Sequence, residues 1–248
     1  MERIGGLDRL SDRIREMSAL SAAGFAWGPS ARERAEAEAS RRAIEEDRRQ
    51  TAVAFAARYA VPSRFAAVGY GDLERNEATA AAIDAAGSVA ALGRGLILSG
   101  DVGAGKSMLA AAIVNDFVGA GLLAAFLRVE DLYSRLRDFD GGPQVRRDMA
   151  RADVLVLDDL GQDRPAEWGL SQLVGIVDDR WRDGKPIVAT CNLSMRAMRQ
   201  HYMRALAKDQ VGTDESAVIL DRLFSRLMAG TTAIVMRGAD FRTGKAEA

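Results

Sequence analysis

The sequence has very little cysteine and histidine: among 248 residues, Cys191 and His201 are the single representatives of these types. One cysteine excludes a disulfide within the chain and a cysteine-rich zinc module, and it is typical of proteins from a reducing compartment. His201 lies in a helical pattern, where a surface or packing role is commoner than a catalytic one. We therefore expect neither disulfide nor histidine chemistry.

Long hydrophobic runs and an excess of one charge are missing as well. No apolar stretch approaches the ~20 residues that span a bilayer. The first ten residues, MERIGGLDRL, carry charge throughout, unlike a signal peptide. With 34 basic and 35 acidic residues, no overall positive field indicates nucleic acid, although a local basic face would suffice. We expect a soluble cytoplasmic protein with no membrane partner.

The most informative stretch runs from Gly95 to Ser107 and reads GLILSGDVGAGKS. An apolar run leads into a glycine-rich turn and a helical pattern follows, which is the context of the phosphate-binding P-loop GxxxxGK(S/T). Backbone N–H groups and the positive end of the helix attract a polyphosphate there. We predict that Lys106 reaches the β and γ oxygens of ATP and that Ser107 ligates Mg²⁺. The predicted nucleotide-binding residues are Gly100, Asp101, Val102, Gly103, Ala104, Gly105, Lys106, Ser107 and Met108.

A second acidic strand is expected beside such a loop. The run DVLVLDD ends in Asp158, in the Walker B position for holding Mg²⁺, and in Asp159, in position to orient or polarise the attacking water. The later run PIVATCN ends in Asn192, an amide that could bond the γ-phosphate and the water. Ligands of open α/β sheets bind at the carboxyl ends of strands, so we predict that these residues meet.

Two arginines late in the chain are four residues apart, so they share one helix face. Arg222 and Arg226 lie in the run LDRLFSRL, whose leucines supply apolar packing. Paired guanidinium groups suit a phosphate contact across a subunit boundary, as an arginine finger. Surface ion pairs with Asp221 or Glu215 explain the same pattern equally well.

Apolar strands alternate with helical patterns, which predicts a parallel sheet covered on both faces. We predict strands at 124–129, 153–159, 186–192 and 232–237, a loop at Gly141-Gly142-Pro143, and helices at 1–20, 31–60, 76–92, 130–139, 167–183, 194–207 and 216–229. The break before Pro62 places a domain boundary there. Residues 1–60 would be a helical partner-binding region, or a solvated helix packed on the core, and residues 61–248 an ATPase domain.

Together these motifs resemble the AAA+ ATPases of the helicase-loader clade, the DnaC/DnaI-type replication proteins and their IstB-type transposition relatives. The likeness covers roughly residues 61–242. It rests on VPSRF, GDVGAGKS, LVLDDLG followed by RPAEW, GKPIVATCNLS, FSRLM and GADFR. The resemblance implies a three-layer α/β fold with a central parallel five-stranded sheet, preceded by N-terminal helices. Little more than ten residues follow Met236, so we expect no C-terminal helical lid.

The resemblance also implies roles for single residues. Lys106 and Ser107 would bind phosphate and Mg²⁺, Asp158 would assist the metal, and Asp159 would be the catalytic carboxylate. Asn192 would be sensor I, and Arg226 would act on the nucleotide of a neighbouring subunit. Many AAA+ proteins have Asp-Glu where this chain has Asp158-Asp159. Because aspartate is one methylene shorter, water activation could be weaker.

The activity that the resemblance implies is ATP-dependent assembly on single-stranded DNA, with delivery or remodelling of a replicative helicase held by the N-terminal helices. An IstB-type helper of a transposase shares every catalytic motif. Outside the clade, a P-loop small-molecule kinase and a nucleotide-gated binding module with incidental hydrolysis remain alternatives. Candidate DNA contacts are Arg196, Arg199, Arg204 and Lys208, or these residues simply solvate a helix. Tyr70 and Gly71 are candidates for the adenine contact.

Overall fold

The computed structural model describes residues 29–77, 79–208 and 213–237. The helices are α1 (Ala31–Arg58), α2 (Ala80–Leu92), α3 (Lys106–Gly119), α4 (Val129–Leu136), α5 (Gly142–Arg151), α6 (Glu167–Arg182), α7 (Met195–Lys208) and α8 (Thr213–Met228). The strands are β1 (Gly95–Gly100), β2 (Ala124–Arg128), β3 (Val154–Asp158), β4 (Ile187–Cys191) and β5 (Thr231–Met236). The predicted helix at 1–20 and the predicted motif GADFR lie outside the described residues. None of the described helices combines the length and apolar content that a membrane span needs.

The five strands form one sheet in the order β2-β3-β4-β1-β5, and every neighbouring pair is parallel. This confirms the predicted α/β fold with a central parallel five-stranded sheet. Strand β1, which leads into the P-loop, lies between β4 and β5. Because the strands are parallel, the carboxyl ends of β1, β3 and β4 meet at one edge of the sheet, where the candidate site forms.

The core lies on both faces of the sheet, because successive side chains of a strand point to opposite faces. In β3, Val154 and Val156 pack with the apolar faces of α2 and α3, whereas Leu155 and Leu157 pack with side chains of α4 to α8. All four side chains are fully buried. The result is three layers, with helices on each side of the sheet.

The prediction of a loop at Gly141-Gly142-Pro143 is wrong. Helix α5 begins at Gly142 and has Pro143 in its first turn. Proline is tolerated there because the first N–H groups of a helix have no partner within the helix. The glycines and the proline therefore mark the start of a helix rather than a break between elements.

Trp181 of α6 is 46% exposed. It lies in the last turn of the helix, and the guanidinium carbon of Arg226 stands 3.7 Å from the centre of its ring. Leu170, Leu173, Val174 and Val177 of the same helix are buried.

The chain divides into two compact units, with the division between Asp47 and Arg48 inside α1. The end of α1 belongs to the unit that holds the P-loop. The hydroxyl of Tyr59 donates to Asp148 Oδ2 at 2.8 Å, and the N–H of Phe126 donates to the carbonyl oxygen of Tyr59 at 3.1 Å. The packed unit thus starts before the proline-marked break at residues 60–61. A partner-binding role for residues 1–60 stays a prediction.

Candidate functional site

The P-loop connects β1 to α3 and has a backbone that glycine makes possible. Gly100 has a φ of 127°, and a Cβ there would collide with the carbonyl group of Met236. Gly105 caps α3 with a φ of 86°. These left-handed conformations strongly disfavour other residues. The loop can therefore curl tightly, with its N–H groups and the start of α3 close to one another.

Lys106 folds over this loop. Its ammonium group donates to the carbonyl oxygens of Gly100 at 2.8 Å and Asp101 at 2.5 Å, and the residue is 6% exposed. Burial lowers the pKa of Lys106, and nearby carboxylates, including those of Asp158 and Asp159, oppose that shift. The cation is thus held beside the loop, where a polyphosphate would bind.

Asp158, the last residue of β3, is buried and accepts two hydrogen bonds on its Oδ1 atom. Ser107 Oγ donates at 2.8 Å and Thr190 Oγ1 donates at 2.5 Å. A serine hydroxyl and a carboxylate this close supply oxygen ligands that suit Mg²⁺. In proteins this ion is usually held by one or two protein oxygens together with phosphates and waters. Within the described residues, no group of three or more His, Cys, Asp or Glu side chains is placed to hold a metal ion.

Asp159 has a left-handed backbone, with a φ of 58°. Such a conformation costs a residue other than glycine about 1–2 kcal/mol, so contacts with the surroundings must hold it there. Its N–H donates to Thr190 Oγ1 at 3.0 Å, and the next N–H, of Leu160, donates to the carbonyl oxygen of Thr190 at 2.8 Å. Burial, and secondly the charge of Asp158, raise the pKa of Asp159. A carboxylate with a raised pKa is a better proton acceptor.

Thr190 belongs to the candidate site although the sequence did not single it out. Its hydroxyl donates to Asp158 and accepts from the N–H of Asp159, so one side chain fixes both acidic residues. It is fully buried in β4. The available signal was a hydroxyl two residues before Asn192 at the end of an apolar strand, but only the pairing of β3 with β4 shows which group it contacts.

Most of the predicted residues at the carboxyl edge line one cavity of about 410 Å³, but Gly100 and Asp101 are not among its lining residues, and Ala104 lines a neighbouring cavity instead. Its lining comprises Pro62, Arg64, Phe65, Val102, Gly103, Gly105, Lys106, Ser107, Met108, Arg128, Asp158, Asp159 and Asn192. Residues 62–65 form part of the wall, and Asn115 of α3 holds that segment by donating to the carbonyl oxygens of Phe65 at 3.0 Å and Val68 at 2.8 Å.

A second cavity, of about 290 Å³, shares Gly105 and Met108 with the first. Its remaining lining is Asp72, Leu73, Glu74, Thr79, Ala104 and Met236. The predicted adenine contacts Tyr70 and Gly71 are not among the lining residues, whereas the three residues that follow them are. The two cavities together offer room for a phosphate chain and for a largely apolar group beside it.

The arginine pair lies at the opposite, amino edge of the sheet. Arg226 lines a cavity of about 310 Å³ together with Gly95, Ile187 and Thr231, the first residues of three strands. Arg222 and Arg226 both form ion pairs with Asp178 of α6. The structure therefore does not bring these arginines to the P-loop of their own chain.

The basic helix α7 has a mixed environment. Arg196 and Arg204 are exposed, whereas Arg199 pairs with Asp221 of α8 at 2.6 Å. The side chain of Lys208 lies outside the described residues. Of the four predicted DNA contacts, two thus stand on an open face and one is engaged within the chain.

The chain matches a known protein family over most of its length. The sequence profile of the IstB-like ATP binding proteins matches residues 35–234, which is most of its length. The chain belongs to the IstB-like ATP binding protein family. The P-loop cavity agrees with the ATP binding that gives this family its name.

This IstB-like chain is similar both to a protein from an insertion sequence and to a replicative helicase loader. A Mycobacterium tuberculosis protein, named for ATP binding and for its place in an insertion sequence, is 28% identical over 157 residues, 62% of this chain and 57% of the relative. The replicative helicase loader DnaC of Escherichia coli is 30% identical over 107 residues, 41% of this chain and 44% of the relative. The chain thus spans about half the length of these relatives.

Solved structures support the same fold for the IstB-like chain. The crystal structure of DnaI matches with a TM-score of 0.58 and 22% identity, over 72% of this chain and 93% of the DnaI chain. The DnaC helicase loader matches with a TM-score of 0.56 and 21% identity, over 71% of this chain and the whole of that one. These matches confirm the predicted AAA+ fold.

Proposed function

We propose that this IstB-like protein hydrolyses ATP in the cavity at the carboxyl edge of the sheet. The observation that supports this most directly is the convergence of Lys106, Ser107, Asp158 and Asp159 on that cavity. Lys106 would bind the β and γ oxygens, and the adjacent cavity with Leu73 and Met236 would take the base. Mg²⁺ held by Ser107 and Asp158 would neutralise phosphate charge when bound.

In the proposed reaction, Asp159 and Asn192 orient a water molecule towards the γ-phosphorus. The water oxygen forms a bond to phosphorus, the bond to the oxygen bridging the β- and γ-phosphates breaks, and the products are ADP and inorganic phosphate. Asp159 accepts the proton that the water loses. Its raised pKa, caused first by burial, suits this role.

We further propose that the active enzyme is an oligomer in which Arg226 contacts the nucleotide of a neighbouring copy. The position of Arg226 at the far edge of the sheet from its own P-loop supports this arrangement. A head-to-tail contact would bring the amino edge of one copy to the carboxyl edge of the next. Positive charge from the neighbour would stabilise the charge that develops on the phosphate.

The partner that ATP hydrolysis serves is proposed to be a transposase. The family match and the longer of the two alignments, to the protein from an insertion sequence, support this choice. The replicative-helicase reading has support from DnaC, with higher identity over a shorter stretch. The family gives no support to a small-molecule kinase. In either reading Arg196 and Arg204 would meet DNA phosphates, so binding of single-stranded DNA should weaken as salt rises.

The variant Asp159→Asn tests the enzymatic proposal. We expect ATP turnover to fall about 10²–10⁴-fold, the range for loss of a general base, while a fluorescent ATP analogue binds as it does to the unchanged protein. Asp140→Asn, at an exposed carboxylate outside the cavity lining, is the control. Turnover that survives in Asp159→Asn would refute the catalytic role of this carboxylate.

Co-purification of the full chain with a transposase or with a replicative helicase, each with ATP, identifies the partner. Retention of the transposase alone supports the first reading, and retention of the helicase alone supports the second. If Asp159→Asn retains partner delivery without turnover, the protein is a nucleotide-gated binding module rather than an enzyme that requires hydrolysis.

A further inference from the structure

The surroundings of Arg226 contain a detail that the arginine-finger assignment does not explain. Its Nε atom donates to Asp178 Oδ1 at 3.2 Å, and its guanidinium carbon lies 3.7 Å from the ring centre of Trp181. Asp178 is 5% exposed. A nearly buried carboxylate and an aromatic face therefore hold one arginine from two directions.

The two arginines bind Asp178 through different atoms. Arg222 contacts it through a terminal nitrogen, whereas Arg226 contacts it through Nε. In the described part of the chain, the terminal nitrogens of Arg226 have no hydrogen-bond partner. A guanidinium binds phosphate in a forked fashion with two N–H groups. Arg226 thus keeps its terminal fork available, while Arg222 uses a terminal nitrogen within the chain.

The charges of this cluster explain why two arginines are present. A single buried carboxylate between two guanidinium groups leaves one net positive charge, and Arg222 helps to balance the charge of Asp178. Arg226, only one-third exposed, is fixed by the ion pair and by cation–π stacking on Trp181. Arg222 is more exposed, at 59% of its side chain, and makes no stacking contact within the described residues.

We propose that Asp178 and Trp181 are positioning residues that orient the Arg226 guanidinium towards the nucleotide of a neighbouring copy, with Arg222 as the counter-charge of Asp178. This inference rests on the proposed action of Arg226 across the subunit boundary. Asp178 holds the inner edge of the guanidinium and Trp181 supports one face. Arg226 lines the surface cavity at the amino edge, where a phosphate can approach.

The inference predicts that correct geometry, rather than positive charge alone, gives Arg226 its effect. In Asp178→Asn both arginines remain, but the charged anchor at Nε is lost. We expect kcat of the assembled full-length protein to fall about 10- to 100-fold, as for a group displaced by roughly 1 Å, with KM and oligomeric state unchanged. The control is Asp179→Asn, on the same helix as Asp178. It breaks the ion pairs of Asp179 with Arg146 and Arg182 and should leave kcat unchanged.

Arg226→Lys separates orientation from charge. Lysine keeps the charge but has no Nε–H edge and no planar fork, so we expect it to lower kcat about as strongly as Asp178→Asn. Trp181→Leu, at a half-exposed position, gives a second route if Asp178→Asn fails to fold. It should lower kcat, whereas Trp181→Phe, which keeps an aromatic face, should restore most of it.

Fluorescence of Trp181 provides a readout independent of turnover. With Trp27→Phe and Trp168→Phe as background, Trp181 is the remaining tryptophan. Addition of ATP under assembling conditions should change its emission, because its stacked guanidinium meets phosphate, and Asp178→Asn should alter that change. Emission that is insensitive to ATP in an assembled oligomer would contradict the inference.

The kinetic outcomes distinguish this inference from the function on which it rests. If Arg226→Ala retains full turnover in the oligomer, the proposed action on a neighbour is wrong. If Arg226→Ala abolishes turnover while a folded Asp178→Asn and Trp181→Leu retain it, the shared site stands and the positioning roles are wrong.

Discussion

The two edges of the sheet hold their charged side chains in different ways. At the carboxyl edge, Lys106 donates to backbone carbonyls, Asp158 accepts from two hydroxyls, and the backbone N–H of Asp159 donates to Thr190; all three charged residues line one cavity. At the amino edge, the single carboxylate of Asp178 faces Arg222 and Arg226. The first edge has the arrangement of a nucleotide site, and the second has spare positive charge without a phosphate-binding loop. The difference suggests two halves of one site that join only between copies.

The largest expected effect comes from mixing two inactive proteins. Asp159→Asn keeps Arg226 but loses its own catalytic carboxylate, whereas Arg226→Ala keeps the carboxylate but lacks the arginine. Each alone should be nearly inactive. An equal mixture should recover roughly a quarter of normal turnover, if interfaces form at random in a head-to-tail assembly. Phosphate release measured against mixing ratio provides the test.

Reassociation of the separately purified variants must be verified by size-exclusion chromatography with light scattering. A mixture that forms mixed oligomers and yet stays inactive would mean that the two edges do not serve the same nucleotide.

A smaller effect is expected at the hydroxyl that joins the two acidic residues. Thr190→Val preserves shape but leaves Asp158 and the N–H of Asp159 without this partner. We expect turnover to fall about tenfold or more through misplacement of the carboxylates, and the free energy of unfolding to fall by about 2 kcal/mol through unmet buried groups. Steady-state kinetics and urea unfolding measure the two effects.

Thr190→Ser is the matched control because it retains the hydroxyl, and it should preserve most of the turnover. A loss of turnover in the serine variant but not in the valine variant would indicate that packing of the methyl group matters, and not the hydrogen bonds.

The smallest expected effect is a displacement of the pH profile. Burial and then Asp158 raise the pKa of Asp159, whereas Arg128 lowers it. Because the deprotonated carboxylate is the proton acceptor, turnover should fall as pH decreases through that pKa. Arg128→Gln removes a lowering charge, so the acidic limb of kcat against pH should move to higher pH.

Arg147→Gln, at an exposed arginine outside the cavity lining, is the control and should leave the limb in place. A limb that moves to lower pH in Arg128→Gln would contradict the assignment of this limb to Asp159.

The parts of the site that the sequence predicted consist of residues adjacent along the chain. The P-loop and the pair Asp158-Asp159 are each encoded in a short run, and the parallel sheet brings them together as expected. Thr190, Asn115 and Asp178 act through contacts between elements distant in sequence, and such contacts have no local signature. Their chemistry became evident only when the strand order and helix packing were known.

The misplaced elements have equally specific causes. Gly142 and Pro143 belong to helix α5 although both residue types often interrupt helices, since the first turn tolerates them. Trp181 fits the apolar periodicity of α6. That periodicity cannot tell a side chain packed in the core from one stacked against an arginine, as Trp181 is against Arg226. The wrong prediction at Gly142 and Pro143 concerns the start of a helix, where periodicity gives least information.

Tyr59 has a practical consequence for dissecting the protein into fragments. A fragment that starts at residue 61 would leave Asp148 and the N–H of Phe126 without their Tyr59 partners and would uncover the site of Phe55. Conversely, a bait made of residues 1–60 would expose Phe55 and Tyr59, which are buried in the core of the full chain, and would bind proteins of a lysate non-specifically. Cutting between Asp47 and Arg48 avoids both artefacts, so the useful cleavage point lies within helix α1 and not at the proline that follows it.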